Sequence, residues 1–245
     1  MDQSTWPQFN LKPYCFDTEM LQEFLFSLAE KNKNSISNCV SLSGYFKESN
    51  VAAFIFEMSE KFELDNEARF LAIEIFDKFM AAHLTEIYQA IKKNKHKDWN
   101  SIIKKIKDQI VLRSLTCIQL ANKFSNSKNV IKLSSIQDLL IELGYKFSFE
   151  SILNSELRVL KYLDFRLNIL TPYNVVETLL EILGHNLKNS QPKALYIISI
   201  RLLESFYFCK EQIYKRLYES FSGKAKDHTE RQFKPQTFTN IVVIF

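Results

Sequence analysis

Glycine and proline are scarce in this chain, with four and five among 245 residues. So few turn formers argue against the regularly punctuated short strands of an all-β protein. Four isolated glycines also leave no Gly-rich loop to cradle a nucleotide phosphate. Cysteine is sparse: Cys15, Cys39, Cys117 and Cys209 stand singly, with neither the paired spacing of a zinc site nor a disulfide framework, which fits a reducing compartment. His83, His96, His185 and His228 show no metal-ligand or catalytic-triad pattern. No apolar run approaches the roughly 20 residues of a membrane span. The first residues carry Asp2, Trp6, Pro7 and Pro13 rather than a charged-then-apolar leader. The expectation is a soluble nuclear or cytosolic protein that is not an enzyme, with no catalytic residue, no metal and no cofactor.

What is present is apolar bulk, at 46% of residues, with frequent Leu, Ile, Phe, Glu and Lys. That is ample for a real core and points to an all-α fold. The formal charge of +4 is small but unevenly placed. Between Ile91 and Asp108 seven lysines face only Asp98 and Asp108, a local net of +5.

Residues 1–48 read as a lead-in, a helix from about Asp17 to Lys31 carrying Met20, Leu21, Phe24, Leu25 and Leu28, and an Asn/Ser-rich linker from Asn32 to Gly44. A compact unit spans 49–170. Its first helix carries Val51, Phe54, Ile55, Met58 and Phe62, and its second follows Asp65-Asn66 with Phe70, Ile73, Phe76 and Phe79. The third is central: in Leu112–Phe124, bulky Leu112, Leu115, Ile118 and Leu120 alternate with small Ser114, Thr116, Cys117 and Ala121. Neighbouring helices can therefore approach from several sides. Arg113, Gln119 and Asn122 leave a narrow polar strip, and Lys123 places a cation at the helix C-terminus. A fourth helix, capped by Ser134 and Ser135 and ended by Gly144, precedes a fifth opened by Ser148. Over 171–245, Thr171-Pro172 starts a helix that Gly184 closes, a long helix runs from about Pro192 to Ser220, and an apolar end follows. Two convincing helices there point to a partial second repeat and a shortened form.

Five helices with the third central, then a proline-started second set, resemble the cyclin layout, and three stretches carry the resemblance at residue level. Ser59–Glu67, with Leu71-Ala72-Ile73 and Asp77-Lys78-Phe79, resembles the passage from cyclin helix 1 into helix 2. Leu120-Ala121-Asn122-Lys123-Phe124 resembles the end of helix 3. Glu156–Leu167, with Thr171-Pro172 after it, is similar to helix 5 and its exit. On this resemblance 49–170 is a cyclin box with a long insert between helices 2 and 3. Outside the generic box, Glu177–Gly184, the insert and Leu140–Tyr145 resemble an atypical, meiotic branch of the family. What that branch implies is a nuclear, non-catalytic regulator of crossover maturation. It would work with a cyclin-dependent kinase or, as the alternative, as a kinase-independent scaffold for crossover or ubiquitin-ligase factors.

In the family a lysine ending helix 3 and a glutamate in helix 5 form a pair that contacts kinase backbone groups. The matching residues are Lys123 and Glu156, and Leu120, Phe124, Leu160, Phe165 and Leu167 match the kinase-facing apolar positions. Without the resemblance, Lys123 and Glu156 would read as a surface salt bridge of roughly 0–1 kcal/mol. The pattern departs at Ser125 and Asn126, where cyclins often carry acids. It departs again at Lys47, Glu48 and Phe54, which occupy the substrate-docking positions without its usual arginine and tryptophan. Lys92, Lys93, Lys95, Lys97 and Trp99 in the insert form a second candidate contact, read first as a solvated helix end. One aromatic and no arginine in that run weigh against direct nucleic-acid binding. A DNA binder of the transcription factor IIB kind shares the fold but would need basic faces on the helices themselves.

Overall fold

The computed structural model describes residues 18–37, 46–47, 49–93, 99–125, 129–186 and 192–222. Among them every regular element is helical: α1 (Thr18–Ser37), α2 (Ser49–Lys61), α3 (Asn66–Lys93), α4 (Trp99–Ser125), α5 (Leu133–Glu142), α6 (Phe149–Tyr162), α7 (Pro172–Asn186) and α8 (Pro192–Ser222). No described helix is long and apolar enough to cross a membrane.

The alternation of large and small residues in α4 has the consequence expected of it. Every residue from Ile110 to Asn122 is buried, and α4 packs along α2, α3, α5 and α6. Such a position requires each polar side chain to find a partner inside the helix layer. Ser114 Oγ donates to the Ile110 carbonyl at 3.1 Å and Thr116 Oγ1 to the Leu112 carbonyl at 2.7 Å. Thr116 also meets Ser155 of α6, hydroxyl to hydroxyl, at 2.7 Å, marking where the two helices cross. Asn122 Oδ1 accepts from Ile131 N at 2.8 Å while its Nδ2 donates to the Asn129 carbonyl, so this side chain pins the chain leading into α5. The polar strip read from Arg113, Gln119 and Asn122 is thus buried rather than solvated.

Several helix ends differ from expectation. Ser134 and Ser135 lie inside α5, whose N-cap is Lys132 with no side-chain cap bond; the helix is held instead by the burial of Ile136, Leu139 and Leu140. Gly144 does end that helix, at φ +86°, with Tyr145 N donating to the Leu140 carbonyl at 2.8 Å. Ser148 caps α6 by accepting from Ser151 N. Thr171 and Asn174 cap α7 reciprocally, Asn174 N donating to Thr171 Oγ1 and Thr171 N to Asn174 Oδ1, both at 3.1 Å. Gly184 falls within α7, which continues to Asn186. Helix α1 runs on to Ser37, so Asn32–Ser37 is helix, not linker. A glycine or a few Asn and Ser residues cost a helix no more than about 1 kcal/mol each, which neighbouring turns can offset.

The last two helices join the same core. Tyr173, Tyr196 and Tyr207 are buried in it. Phe70 stacks on Tyr173 at 5.8 Å, and Phe56 meets both Phe70 and Tyr207 edge-on. The seam is closed by polar contacts: Tyr173 and Tyr196 hydroxyls at 3.2 Å, Asn66 Nδ2 to Tyr196 at 3.0 Å, and Arg69 to Glu204 at 2.7 Å. Helix α8 therefore lies against α2 and α7, and α1 against α7.

Candidate functional site

The C-terminal turn of α4 emerges from the core at Lys123. Its ammonium reaches Glu156 Oε1 of α6 at 2.6 Å, with the two side chains 36% and 15% exposed. The contact follows from the crossing below it. Thr116 and Ser155 fix α6 against α4, and the next residue of α6 is Glu156. A cation also suits a helix C-terminus, where the carbonyl ends of the dipole converge.

The apolar residues divide by depth. Phe124, beside Lys123, is 50% exposed, and Phe165, just beyond α6, is 62% exposed. Leu160 and Leu167 are half-buried and packed on the core, while Leu120 is 2% exposed and faces inward. Two exposed aromatic rings, Phe124 next to Lys123 in the chain and Phe165 past the end of α6, thus form the accessible apolar part. Phe165 and Asp164 both take left-handed backbone, at φ +57° and +49°. Asp tolerates that region and Phe does not, so the Phe165 conformation costs on the order of 1 kcal/mol or more. It is held by Phe165 N donating to the Leu160 carbonyl at 2.9 Å and Arg166 N to the Leu163 carbonyl at 2.9 Å. The turn aims a large apolar ring into solvent beside Leu160.

Ser125 turns away from the site, its hydroxyl donating to the Ala121 carbonyl at 2.6 Å; Asn126 lies outside the described residues. At the substrate-docking positions, Lys47 is engaged by both oxygens of buried Glu74, at 2.5 and 2.6 Å, and Phe54 packs on the core. Tyr207 donates to the same carboxylate at 3.1 Å. That surface is occupied by the chain's own contacts. Glu48 lies outside the described residues.

Of the insert, Lys92 and Lys93 are exposed in the last turn of α3, Trp99 opens α4, and Lys95 and Lys97 lie outside the described residues. No group of three or more His, Cys, Asp or Glu side chains among the described residues could hold a metal ion. Arg113 of α4, one of the polar strip, and Arg158 of α6, which no motif singles out, line one cleft across the same helix pair. Their signal was an arginine inside an otherwise apolar helix, legible only with its partner 45 positions away.

A central buried helix, packed along four neighbours and crossed by α6, is the architecture of a helical module of the cyclin kind. The family model described as "Cyclin, N-terminal domain" matches residues 28–168, and the chain belongs to the cyclin family. Cyclin domains are regulatory rather than catalytic. Over 230 residues, 91% of this chain, it is 30% identical to human cyclin N-terminal domain-containing protein 1, of which the match covers 69%. The mouse protein of the same name is 30% identical over 230 residues, covering 68% of its length. No solved structure matches the chain.

Proposed function

We propose that this chain is a non-catalytic cyclin that binds a cyclin-dependent kinase through the face built on Lys123, Glu156, Phe124 and Phe165, with Leu120, Leu160 and Leu167 supporting it. The observation that carries the reading is the 2.6 Å pair between Lys123 and Glu156, with the exposed Phe124 ring next to Lys123 in the chain. Aromatic anchors around a few polar contacts are what a protein interface needs: the rings supply buried area and the charges set register. Packing against a mobile kinase helix would shift that helix toward its aligned position, so activation requires no chemistry from the cyclin.

The test is a charge swap. Lys123→Glu with Glu156→Lys keeps an internal ion pair, and so keeps the fold, while reversing the charges a kinase backbone would meet. Kinase co-purification is expected to be lost. Binding equal to wild type would overturn the proposal.

The finer role follows from the resemblance of Glu177–Gly184, the insert and Leu140–Tyr145 to the meiotic branch: a nuclear regulator of crossover maturation, present also in the cytoplasm. Germ cells lacking the protein are expected to show fewer crossovers, and unchanged crossover numbers would count against it. One observation favours a second reading, a kinase-independent scaffold for crossover or ubiquitin-ligase factors. Ser125 spends its hydroxyl on its own helix where cyclins often present an acid. Under that reading the charge-swapped protein retains its meiotic partners while binding no kinase. The lysines and Trp99 of the insert are a secondary contact for an acidic partner, not for nucleic acid.

A further inference from the structure

On the other side of the Thr116–Ser155 crossing lies a cleft of about 330 Å³ between α3, α4 and α6. His83, Lys105, Gln109, Arg113 and Arg158 line it, over an apolar wall that includes Ile87 and Ile106. A second cleft of about 610 Å³ shares Gln109, Arg113 and Arg158 with the first and adds Lys161. Neither is lined by a carboxylate: Lys105, Arg113 and Arg158 line the first and Arg113, Arg158 and Lys161 the second, with no opposing charge in the walls.

Arg113 is the sharpest case. It is 7% exposed, its Nη1 has no hydrogen-bond partner, and its Nη2 donates to Gln109 Oε1 at 2.8 Å. Its guanidinium also lies 5.9 Å from the Phe79 ring centre, a weak cation–π contact. A guanidinium does not shed its charge in a protein, so burial without an acid is expensive and is normally relieved by pairing. Burial and the neighbouring Arg158 push the Arg113 guanidinium down to about 10. His83, whose buried Nδ1 also lacks a partner, is held neutral at about 4 by burial and by Arg158 and Arg113, with Glu86 acting the other way. Glu86 is itself engaged by the Tyr162 hydroxyl.

We propose that this cleft binds a phosphate monoester, with Arg113, Arg158 and Lys105 as its charge partners and a neutral His83 in its wall. A dianion with three acceptor oxygens matches several converging cations better than a single carboxylate. The apolar wall takes the carbon skeleton of the esterified alcohol. Duplex DNA fits poorly, because its phosphates meet protruding side chains whereas Arg113 is recessed between helices.

The experiment is an NMR titration of the full chain labelled at histidine and arginine, read at His83 and Arg113. The probes are inorganic phosphate, a phosphothreonine peptide, its unphosphorylated form and duplex DNA. Saturable shifts at His83 with phosphate or the phosphopeptide, and none with the unphosphorylated peptide, are expected. Tighter binding of the peptide identifies the source as a phosphorylated protein segment, and tighter binding of free phosphate a soluble phosphorylated compound. Exposed Arg158→Ala is expected to weaken binding about tenfold or more without disturbing the fold, whereas Lys132→Ala, outside the cleft, leaves it unchanged. A lack of saturable shift at millimolar phosphate, equal loss in both variants, or a stronger Arg158-dependent response to DNA would each overturn the site.

Discussion

Helices α4 and α6 meet twice around one crossing, and the two meetings are built in opposite ways. On one side Lys123 faces Glu156, a cation with its carboxylate, at the surface. On the other Arg113 faces Arg158, two cations with no carboxylate in the walls around them. Between them the Thr116–Ser155 contact is buried, small and neutral. A paired end is complete as it stands, so the proposed kinase contact would draw on backbone groups and exposed aromatics. An unpaired end is incomplete, and what completes it has to carry negative charge.

The largest effect that separates the two is expected at the paired end. Glu156→Ala leaves Lys123 without its acid. In the free chain, where Lys123 is well solvated, the loss is that of a surface pair, about 0–1 kcal/mol, measurable as a small fall in Tm. In complex with a kinase the stranded ammonium would be desolvated, and affinity is expected to fall by about 3–5 kcal/mol in a titration against the purified kinase. Equal losses in the two measurements would mean that no partner buries this face, and the comparison would reduce to two solvated surface features.

The two ends also differed in how readable they were. Lys123 and Glu156 sit within contiguous motifs, so a linear pattern located both, and the alternation of bulk and small residues placed α4 in the core. Arg113 and Arg158 are individually unremarkable and acquire meaning only when the crossing brings them together. The same holds for the seam of Tyr173, Tyr196 and Tyr207, whose hydroxyls are satisfied by residues far away in sequence. Local signals failed where their energies are small. Ser134 and Ser135 as caps, Gly184 as a stop and Asn32–Ser37 as linker each rested on preferences of a few tenths to about 1 kcal/mol, which packing of adjoining turns overrides. Depth was the other gap: Leu120 and Phe124 belong to one motif, yet one is core and the other surface.

A smaller effect, of opposite sign, is expected at the unpaired end. Replacing a buried charge by an apolar group of similar shape removes a desolvation cost, so Arg113→Met gives up the Gln109 hydrogen bond and the Phe79 contact but no ion pair. In phosphate-free buffer its Tm should equal or exceed that of wild type, by up to about 1 kcal/mol in stability. Added phosphate should stabilise wild type and not the variant, as expected for a ligand that binds only the folded state. A fall in Tm like that of a core truncation would show Arg113 to be satisfied within the chain, and the asymmetry between the two ends would vanish.

The smallest effect is a pH slope. His83 sits near 4 in the fold against 6.5 when free. Above 6.5 it is neutral in both states and contributes no difference. As pH falls from 6.5 toward 4 the unfolded chain takes up a proton that the folded one refuses, so stability is lost across that window. Glu67 and Glu177, both raised by burial, act the other way as they protonate, so the quantity to read is wild type minus His83→Gln. That difference in Tm should narrow as pH drops from about 6.5 to about 4. Phosphate should flatten it, because an anion beside Arg113 and Arg158 offsets the repulsion that keeps His83 neutral. A slope unchanged by phosphate would separate His83 from the anion cleft, whereas a slope that flattens would tie its protonation to the charge missing from that side of the crossing.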